Sequence, residues 1–558
     1  MMMPLSIYSQ GLSAGNDILI NISKYGQAEV LIDYPGYDAM TKLAAQFSVS
    51  SCDGNVAGLL LSPLTADAFI RSGIPYKVHT PESVKSVYTA SNAAEAMQWH
   101  SYPTWQQYDT IMHLLAERWP DACLLDTVGF SVMGRPVLVL KISDNPSTDE
   151  DDEPAVMLSA AIHGDELAGF VLLMRLAERL ASGGNNDELV RRLTSGLEIW
   201  INPLANPDGM YRTVDTIIFP VRVNSNGYDI NRNFPDPEVT SPPPLQPETT
   251  AMMAFMREKH FVLSANLHSG AEVVNYPWDK WTRLHADDQW FNEVSRRYAD
   301  TVHLFSAPGY LTFLDNGVTR GSVWYSISGG RQDYITYELR GREVTMELDD
   351  DKQTPASQLE SLWNYNEHSL IRYLEEALFG VSGTVTDTGT GMPVGAKIFI
   401  AGHDTDSSHV YSDTLTGRFY RFLSPGSITL NVTSKGYEPF KAENVTVIWN
   451  ELSLLDIELT PLDTIPDPPE TGLLIWPVPT TGEVSILLPE SLEGNVSVTV
   501  TSLAGSVIVS YKTIVDSGIP FTHDFGYLGD GIYILSVNKL PYGPVVRGKL
   551  IISTFTPF

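Results

Sequence analysis

The stretch Ala155-Val-Met-Leu-Ser-Ala-Ala-Ile-His163-Gly-Asp-Glu166 decides how the chain is read. Residues 155 to 162 are an apolar run with the length of a buried strand, closed by a histidine, a glycine and two carboxylates. From Glu166 the pattern turns helical, with Val171, Leu172, Met174, Leu176 and Leu180 recurring at three- and four-residue steps. Strand, tight turn and helix is the unit in which an open α/β sheet displays chemistry at the carboxyl ends of its strands. His163 and Glu166, at such a strand end, offer two corners of a zinc site. The pair alone is a weak signal, and a third ligand has to come from elsewhere.

Outward from this unit, an α/β region spans 97–379. Its strand candidates are Val137–Ile142, Val156–Ile162, Leu197–Asn202, Phe261–Leu267 and Val344–Leu348. Helices are expected over Tyr102–Trp119, after Glu166, Gln246 and Asp287, and over Ser357–Leu378. Residues 1–96 read as a smaller α+β region without any His, Glu or Cys cluster. It has strand candidates at Asp17–Ile22, Ala28–Asp33 and Gly73–Val78, and helix candidates at Tyr37–Phe47 and Pro63–Arg71. After Phe379 short alternating strands punctuated by glycine predict a β-sandwich over 380–461, a proline-rich linker over 462–471 and a second all-β unit over 472–558. Neither β unit gathers His, Cys or carboxylate residues, so both read as binding, folding or sorting modules.

Length and charge bound the function. A chain of 558 residues is too long for one core and fits about three or four domains. With 67 acidic and 36 basic residues the net charge is −31, which argues against nucleic acid as a partner and favours a cationic substrate. Two cysteines, Cys52 and Cys123, exclude a disulfide framework though not a single bridge, and read as free buried thiols. No apolar run reaches the ~18 residues of a membrane span, and the first ten residues carry no export signal. The acidic loop Asp149-Glu-Asp-Asp-Glu153 reads as a solvated turn; calcium is the alternative, with nothing in the sequence to support it.

Other strand ends complete the constellation. Ser264-Ala-Asn-Leu-His268 places a second histidine at a strand end, and two histidines with one carboxylate leave the fourth tetrahedral position of zinc open. In Glu343-Val-Thr-Met-Glu-Leu348, Glu343 and Glu347 fall on the opposite parity from their apolar neighbours. Glu347 is the candidate to take a proton from water at the open position and pass it to a leaving amine. In Arg222-Val-Asn-Ser-Asn-Gly-Tyr-Asp-Ile-Asn-Arg-Asn-Phe234, Arg232 offers a fork suited to a carboxylate with Asn231 beside it, and Arg222 can stabilise an oxyanion. Each of these residues also has a bland reading as a buried pair or a solvated loop.

His163-x-x-Glu166, Asn206-Pro-Asp-Gly209, Asp229-Ile-Asn-Arg-Asn-Phe-Pro235, Asn266-Leu-His268 and Thr345-Met-Glu-Leu348 together resemble the zinc metallocarboxypeptidases. The N/E/D-like (regulatory) branch is most similar, through Asn275-Tyr-Pro-Trp-Asp279. The resemblance implies an α/β fold with a mixed central sheet and flanking helices, preceded by a small α+β domain and followed by two all-β sandwiches. It implies that His163, Glu166 and His268 bind one zinc ion and that Glu347 is the general base. It further implies that Arg222 polarises the scissile carbonyl, Asn231 and Arg232 grip the C-terminal carboxylate, and Tyr325 caps the substrate. Asp279 and Gln332 would line a pocket for C-terminal Lys or Arg, while Arg331 stands where it could neutralise Asp279. Asp165 is expected to orient a zinc ligand.

Val381–Pro461 resembles the transthyretin-like sandwich of this branch, and residues from Trp476 to Ile552 resemble the C-terminal sorting domain of type IX secretion substrates. The second likeness implies secretion or surface display through that machinery, which conflicts with the missing export signal unless the start is truncated. Residues up to about 80 resemble, more weakly, a bacterial pro-segment. The partners implied are peptide or protein C-termini. The alternatives are a cell-wall peptide peptidase using the same zinc site and a non-enzymatic surface binding module; the second predicts a lost ligand or base, and none is lost.

Overall fold

A computed structural model describes residues 15–52, 54–79, 87–150, 152–183, 187–462, 472–516, 518–541 and 543–553. An eight-stranded mixed sheet dominates the first compact unit. Its strands are β1 (Cys123–Phe130), β2 (Pro136–Ile142), β3 (Ala155–Ala160), β4 (Glu198–Asn202), β5 (Leu263–His268), β6 (Ala271–Tyr276), β7 (Val318–Arg320) and β8 (Arg342–Asp349), in the spatial order β7-β6-β8-β5-β3-β4-β2-β1. The central four, β8-β5-β3-β4, run parallel.

Every residue of β3, β4 and β5 is buried, the pattern of strands covered on both faces. The helix Ala168–Ala181 covers one face; at Gly169 an added Cβ would lie 2.8 Å from both Ala160 Cβ and Leu267 Cβ, so helix and sheet meet backbone to side chain. On the other face Met157 and Trp200 pack with Met252, Met253 and Met256 of the helix Pro247–Lys259. The helix Trp105–Arg118 starts at a capping box in which Thr104 and Gln107 satisfy each other's backbone N–H groups. The α/β fold with a mixed sheet is as expected. Three strands escaped the sequence reading, and β1 shows why: most of its residues are exposed or half-buried, so no apolar run marks it.

The N-terminal region is a four-stranded antiparallel sheet, Ser48–Cys52, Val56–Leu61, Ala28–Asp33 and Lys77–His79 in spatial order. Asp17–Ile22, expected as a strand, is instead part of the helix Asn16–Tyr25. Ile18 is buried and Leu19 and Ile20 are exposed, so burial follows a helical face and not strand alternation. Gly26 closes this helix in a left-handed conformation, its N–H donating to Ile22 O at 2.8 Å. Cys52 and Cys123 are buried and form no disulfide.

A second compact unit begins at Gly380. Its first part pairs a sheet centred on Gly380–Asp387 with a sheet ordered Val410–Tyr411, Lys397–Phe399, Gly426–Thr433, Phe440–Val447. Its last part has a three-stranded and a four-stranded antiparallel sheet; Val496, Val498 and Val500, at alternate positions of Gly494–Ser502, are its fully buried centre. The proline-rich linker lies, after Leu462, outside the described residues. Among the described residues no helix is long and apolar enough to cross a membrane.

Candidate active site

The site is built at the carboxyl ends of β3 and β5. Beyond β3 the chain turns at Ala161 (φ 52°), a left-handed conformation uncommon outside glycine. The turn is held from outside: Asn206 Nδ2 donates to Ile162 O (3.3 Å) and to Arg222 O (3.2 Å), and Asn206 Oδ1 accepts from Gly209 N (2.9 Å). Gly164 is required sterically, because a Cβ there would sit 2.2 Å from the carbonyl carbon of Gly209. The Asn206–Gly209 motif thus fixes the His163 turn and the arginine strand together.

His163 Nδ1 lies 2.9 Å from Glu166 Oε1, and His268 Nδ1 lies 2.7 Å from Glu166 Oε2, with all three side chains buried. One ligand atom from each can lie within 4.8 Å of the others. Two imidazoles converging on one carboxylate form a donor set that suits zinc and leaves a coordination position open. Burial alone would raise the Glu166 carboxyl, but His163 and His268 hold it well below the usual range.

The orienting partner is not the expected one. Asp165 Oδ2 accepts from Gln27 Nε2 (3.0 Å) of the N-terminal region, and its other oxygen is buried without a partner. Asp229 orients His163 instead, with Oδ1 at 3.2 Å from His163 Nε2. Asp229 also accepts from Arg222 Nε (2.8 Å) and Ser48 Oγ (2.6 Å). It stands at the head of the Asp229–Pro235 motif, and that position was the only signal for it.

Glu347 is paired in register with His268 across the parallel β8–β5 ladder and with Val273 across β6. Burial pushes its carboxyl up to about 7, against the pull of His268. Arg222, also buried, donates from Nη1 to Glu166 Oε1 at 3.2 Å. Arg232 donates from Nη1 to Asn231 O (2.8 Å), while its Nε is buried with no partner. Asn231 Oδ1 accepts from Arg331 N at 2.9 Å. Burial pushes the Tyr325 phenol up to about 12, so its hydroxyl stays a neutral donor.

Asp279 and Gln332 meet as expected, with Gln332 Nε2 donating to Asp279 Oδ1 at 2.9 Å. Burial pushes Asp279 up to about 6, against a hydrogen bond from Asn275 and the charge of Arg232. Arg331 does not neutralise Asp279. It is fully buried and donates from Nη2 to Glu343 Oε2 at 2.9 Å, an oxygen that also accepts from Ser264 Oγ (2.7 Å). Opposite charges buried together pair with each other. In the acidic loop Glu150 accepts from Ser143 Oγ and Asn145 Nδ2, each at 2.7 Å, and Asp144, Glu150 and Glu153 bring carboxylate oxygens within 4.8 Å of one another.

His163, Glu166, His268, Arg222, Asn231, Arg232, Asp279, Tyr325 and Glu347 line one cavity of about 50 Å³, whose wall includes Val49 and Ser50 of the N-terminal sheet. Tyr325 and Ile327 pack against the core of that sheet, and Trp324 Nε1 donates to Cys52 O at 3.2 Å.

Residues 108–369 match the zinc carboxypeptidase family, 380–460 the carboxypeptidase regulatory-like domain and 474–553 the secretion system C-terminal sorting domain. The chain is 34% identical to human carboxypeptidase D over 363 residues, 62% of this chain and 26% of that protein, so it spans about a quarter of that relative's length. The catalytic chain of rat carboxypeptidase N is 33% identical over 397 residues, 63% of this chain and 85% of that protein. Carboxypeptidase A from Helicoverpa armigera superposes on 62% of this chain and 97% of its own with a TM-score of 0.50 at 19% identity, a likeness of fold. A relative this similar and this fully covered settles the family: the chain belongs to the zinc carboxypeptidases.

Proposed function

We propose that the protein removes single residues from peptide C-termini as a zinc carboxypeptidase, with a preference for Lys and Arg. The observation that carries the reading is one cavity joining His163, Glu166 and His268 with Glu347 and Arg232, the last bearing a buried unpartnered N–H. Zinc held by His163, Glu166 and His268 would act as a Lewis acid toward water and the scissile carbonyl. Glu347 takes the proton of the attacking water and delivers it to the leaving amine, a task suited to a carboxyl raised to about 7. Arg222 faces the developing oxyanion, Arg232 and Asn231 hold the terminal carboxylate, and Tyr325 donates from a phenol that stays protonated.

Asp279 gives the specificity. Its pKa of about 6 lies above that of an ordinary carboxyl, so its charge is present above pH 6 and lost as pH falls through that value. Paired assays of Arg- and Phe-ending peptides across pH 5 to 8 test this. The Arg:Phe ratio of kcat/KM exceeds one at pH 8 and declines below about pH 6. Faster turnover of the Phe peptide at pH 8 contradicts the basic preference.

The N-terminal region supports a further reading as a pro-segment seated on the cleft. Gln27 bridges Asp165 and Arg222, accepting from Arg222 N at 2.9 Å; Ser48 binds Asp229, and Tyr37 OH donates to Ser322 O at 2.5 Å. Cutting the chain between residues 79 and 87 and separating the fragments should raise kcat/KM by about tenfold or more, because a cleft open in a tenth of molecules loses tenfold in apparent affinity. Unchanged kcat/KM after separation removes the pro-segment reading. The sorting-domain match supports export by type IX secretion, with the C-terminal β unit engaging the machinery and the enzyme released or held at the cell surface.

A further inference from the structure

We propose that Gly321 is a specificity-determining residue, acting with Asp333 to fix the Asp279 carboxylate; the inference rests on the reading of Asp279 as the acceptor of a basic side chain. Gly321 opens the short helix Gly321–Trp324, directly after β7. Its φ is not among the left-handed ones, so its backbone does not require glycine. The space beside it does. A Cβ on Gly321 would lie 1.9 Å from Asp279 Oδ1, 2.8 Å from Asn275 Oδ1 and 2.9 Å from Asp279 Cα. The carboxylate of Asp279 occupies the volume that a side chain at 321 would fill.

The main chain on either side cannot withdraw to relieve such a clash. β6 and β7 are paired in register, Asn275 with Thr319 and Tyr276 with Arg320, up to the point where both chains leave the sheet. Past the sheet, Ser322 N donates to Trp278 O (2.8 Å) and Ile327 N to Asp279 O (3.1 Å). Asp333 then holds Asp279 from behind, its two oxygens accepting the backbone N–H groups of Asp279 and Lys280, each at 2.9 Å. With both backbones tied, a methyl group at 321 turns the Asp279 carboxylate away from Gln332 Nε2 and presses on Asp279 Cα, 2.9 Å away. The acceptor for a Lys or Arg side chain then leaves its place. Asp333 acts through Asp279 and is a positioning residue: an amide there accepts one N–H and turns a donor toward the other.

The test uses the full chain and the Arg:Phe ratio of kcat/KM at pH 8 for wild type, Gly321→Ala, Asp333→Asn, Asp279→Ala and the Asp279→Ala/Gly321→Ala double variant, with zinc content measured on each. Gly321→Ala is expected to lower the ratio about tenfold or more, chiefly through KM for the Arg peptide, as for a displaced partner of a buried charge. Asp333→Asn is expected to shift it in the same direction. Adding Gly321→Ala to Asp279→Ala should change the ratio no further, because both act through one carboxylate. A wild type without preference for Arg removes the Asp279 reading itself. A wild type that prefers Arg, with the ratio kept within twofold in Gly321→Ala, overturns the proposal. So does equal loss of both substrates with loss of zinc, or an undiminished effect of Gly321→Ala in the Asp279→Ala background. If Gly321→Ala does not fold, Asp333→Asn decides, and an unchanged ratio there overturns it.

Discussion

Glu347→Gln lowers kcat about 10³-fold, within the 10²–10⁴ range of positioned acid–base groups. The substitution keeps the volume and the acceptor oxygen and removes the ability to carry a proton. Among the described residues, the other carboxylates around the cleft are engaged. Glu166 is committed to both imidazoles, Asp229 to His163 and Arg222, and Asp279 to Gln332. The ladder that pairs Glu347 with His268 holds the side chain beside the ligands whether or not it is charged, so zinc content should not change. Steady-state rates beside metal content check this. A loss below about tenfold would assign the proton transfer to another group.

Arg232→Ala should lower kcat/KM by about 10²–10³, the cost of leaving a buried carboxylate without its cation. One feature singles out this arginine from Arg222, the other arginine lining the cavity. Its Nε is buried without a partner, and a donor in that position costs stability unless a ligand satisfies it. Arg222, by contrast, already donates to Asp229 and Glu166. The discriminating substrate is a C-terminally amidated peptide. Wild type should cleave the free acid far faster than the amide, and Arg232→Ala should erase most of that difference. Arg232→Lys should recover little, because an ammonium lacks the planar fork. Equal loss on acid and amide would place Arg232 in the structure rather than in carboxylate binding.

Local pattern told the α/β core apart because its strands are buried on both faces and read as unbroken apolar runs, as Ala155–Ala160 does. Where burial is partial the signal fails. Cys123–Phe130 and Val318–Arg320 carry no such run, and Asp17–Ile22 packs only one side of a helix while looking like an apolar segment. His163, Glu166 and His268 were legible because they follow or close the buried strands Ala155–Ala160 and Leu263–His268. Their partners were not, since pairing across the fold leaves no mark on sequence: Gln27 meets Asp165 across 138 positions and Ser48 meets Asp229 across 181. Arg331 shows the same limit at short range. Its partner is Glu343, with Nη2 at 2.9 Å from Oε2, a pairing set by packing and not by spacing in the sequence. Gly321 carries no signal in the sequence, and only the position of the Asp279 carboxylate gives it a purpose.

The central claim is that His163, Glu166 and His268 hold the one metal on which hydrolysis depends. Its most direct test is zinc titration of chelator-stripped protein, with bound metal and cleavage of an Arg-ending peptide followed together, for the wild type and for His268→Ala. Activity should vanish on stripping and return in proportion to zinc, saturating at one ion per chain, while His268→Ala binds zinc weakly and stays inactive. Hydrolysis that survives complete stripping, or stoichiometric tight zinc binding and full activity in His268→Ala, would contradict it.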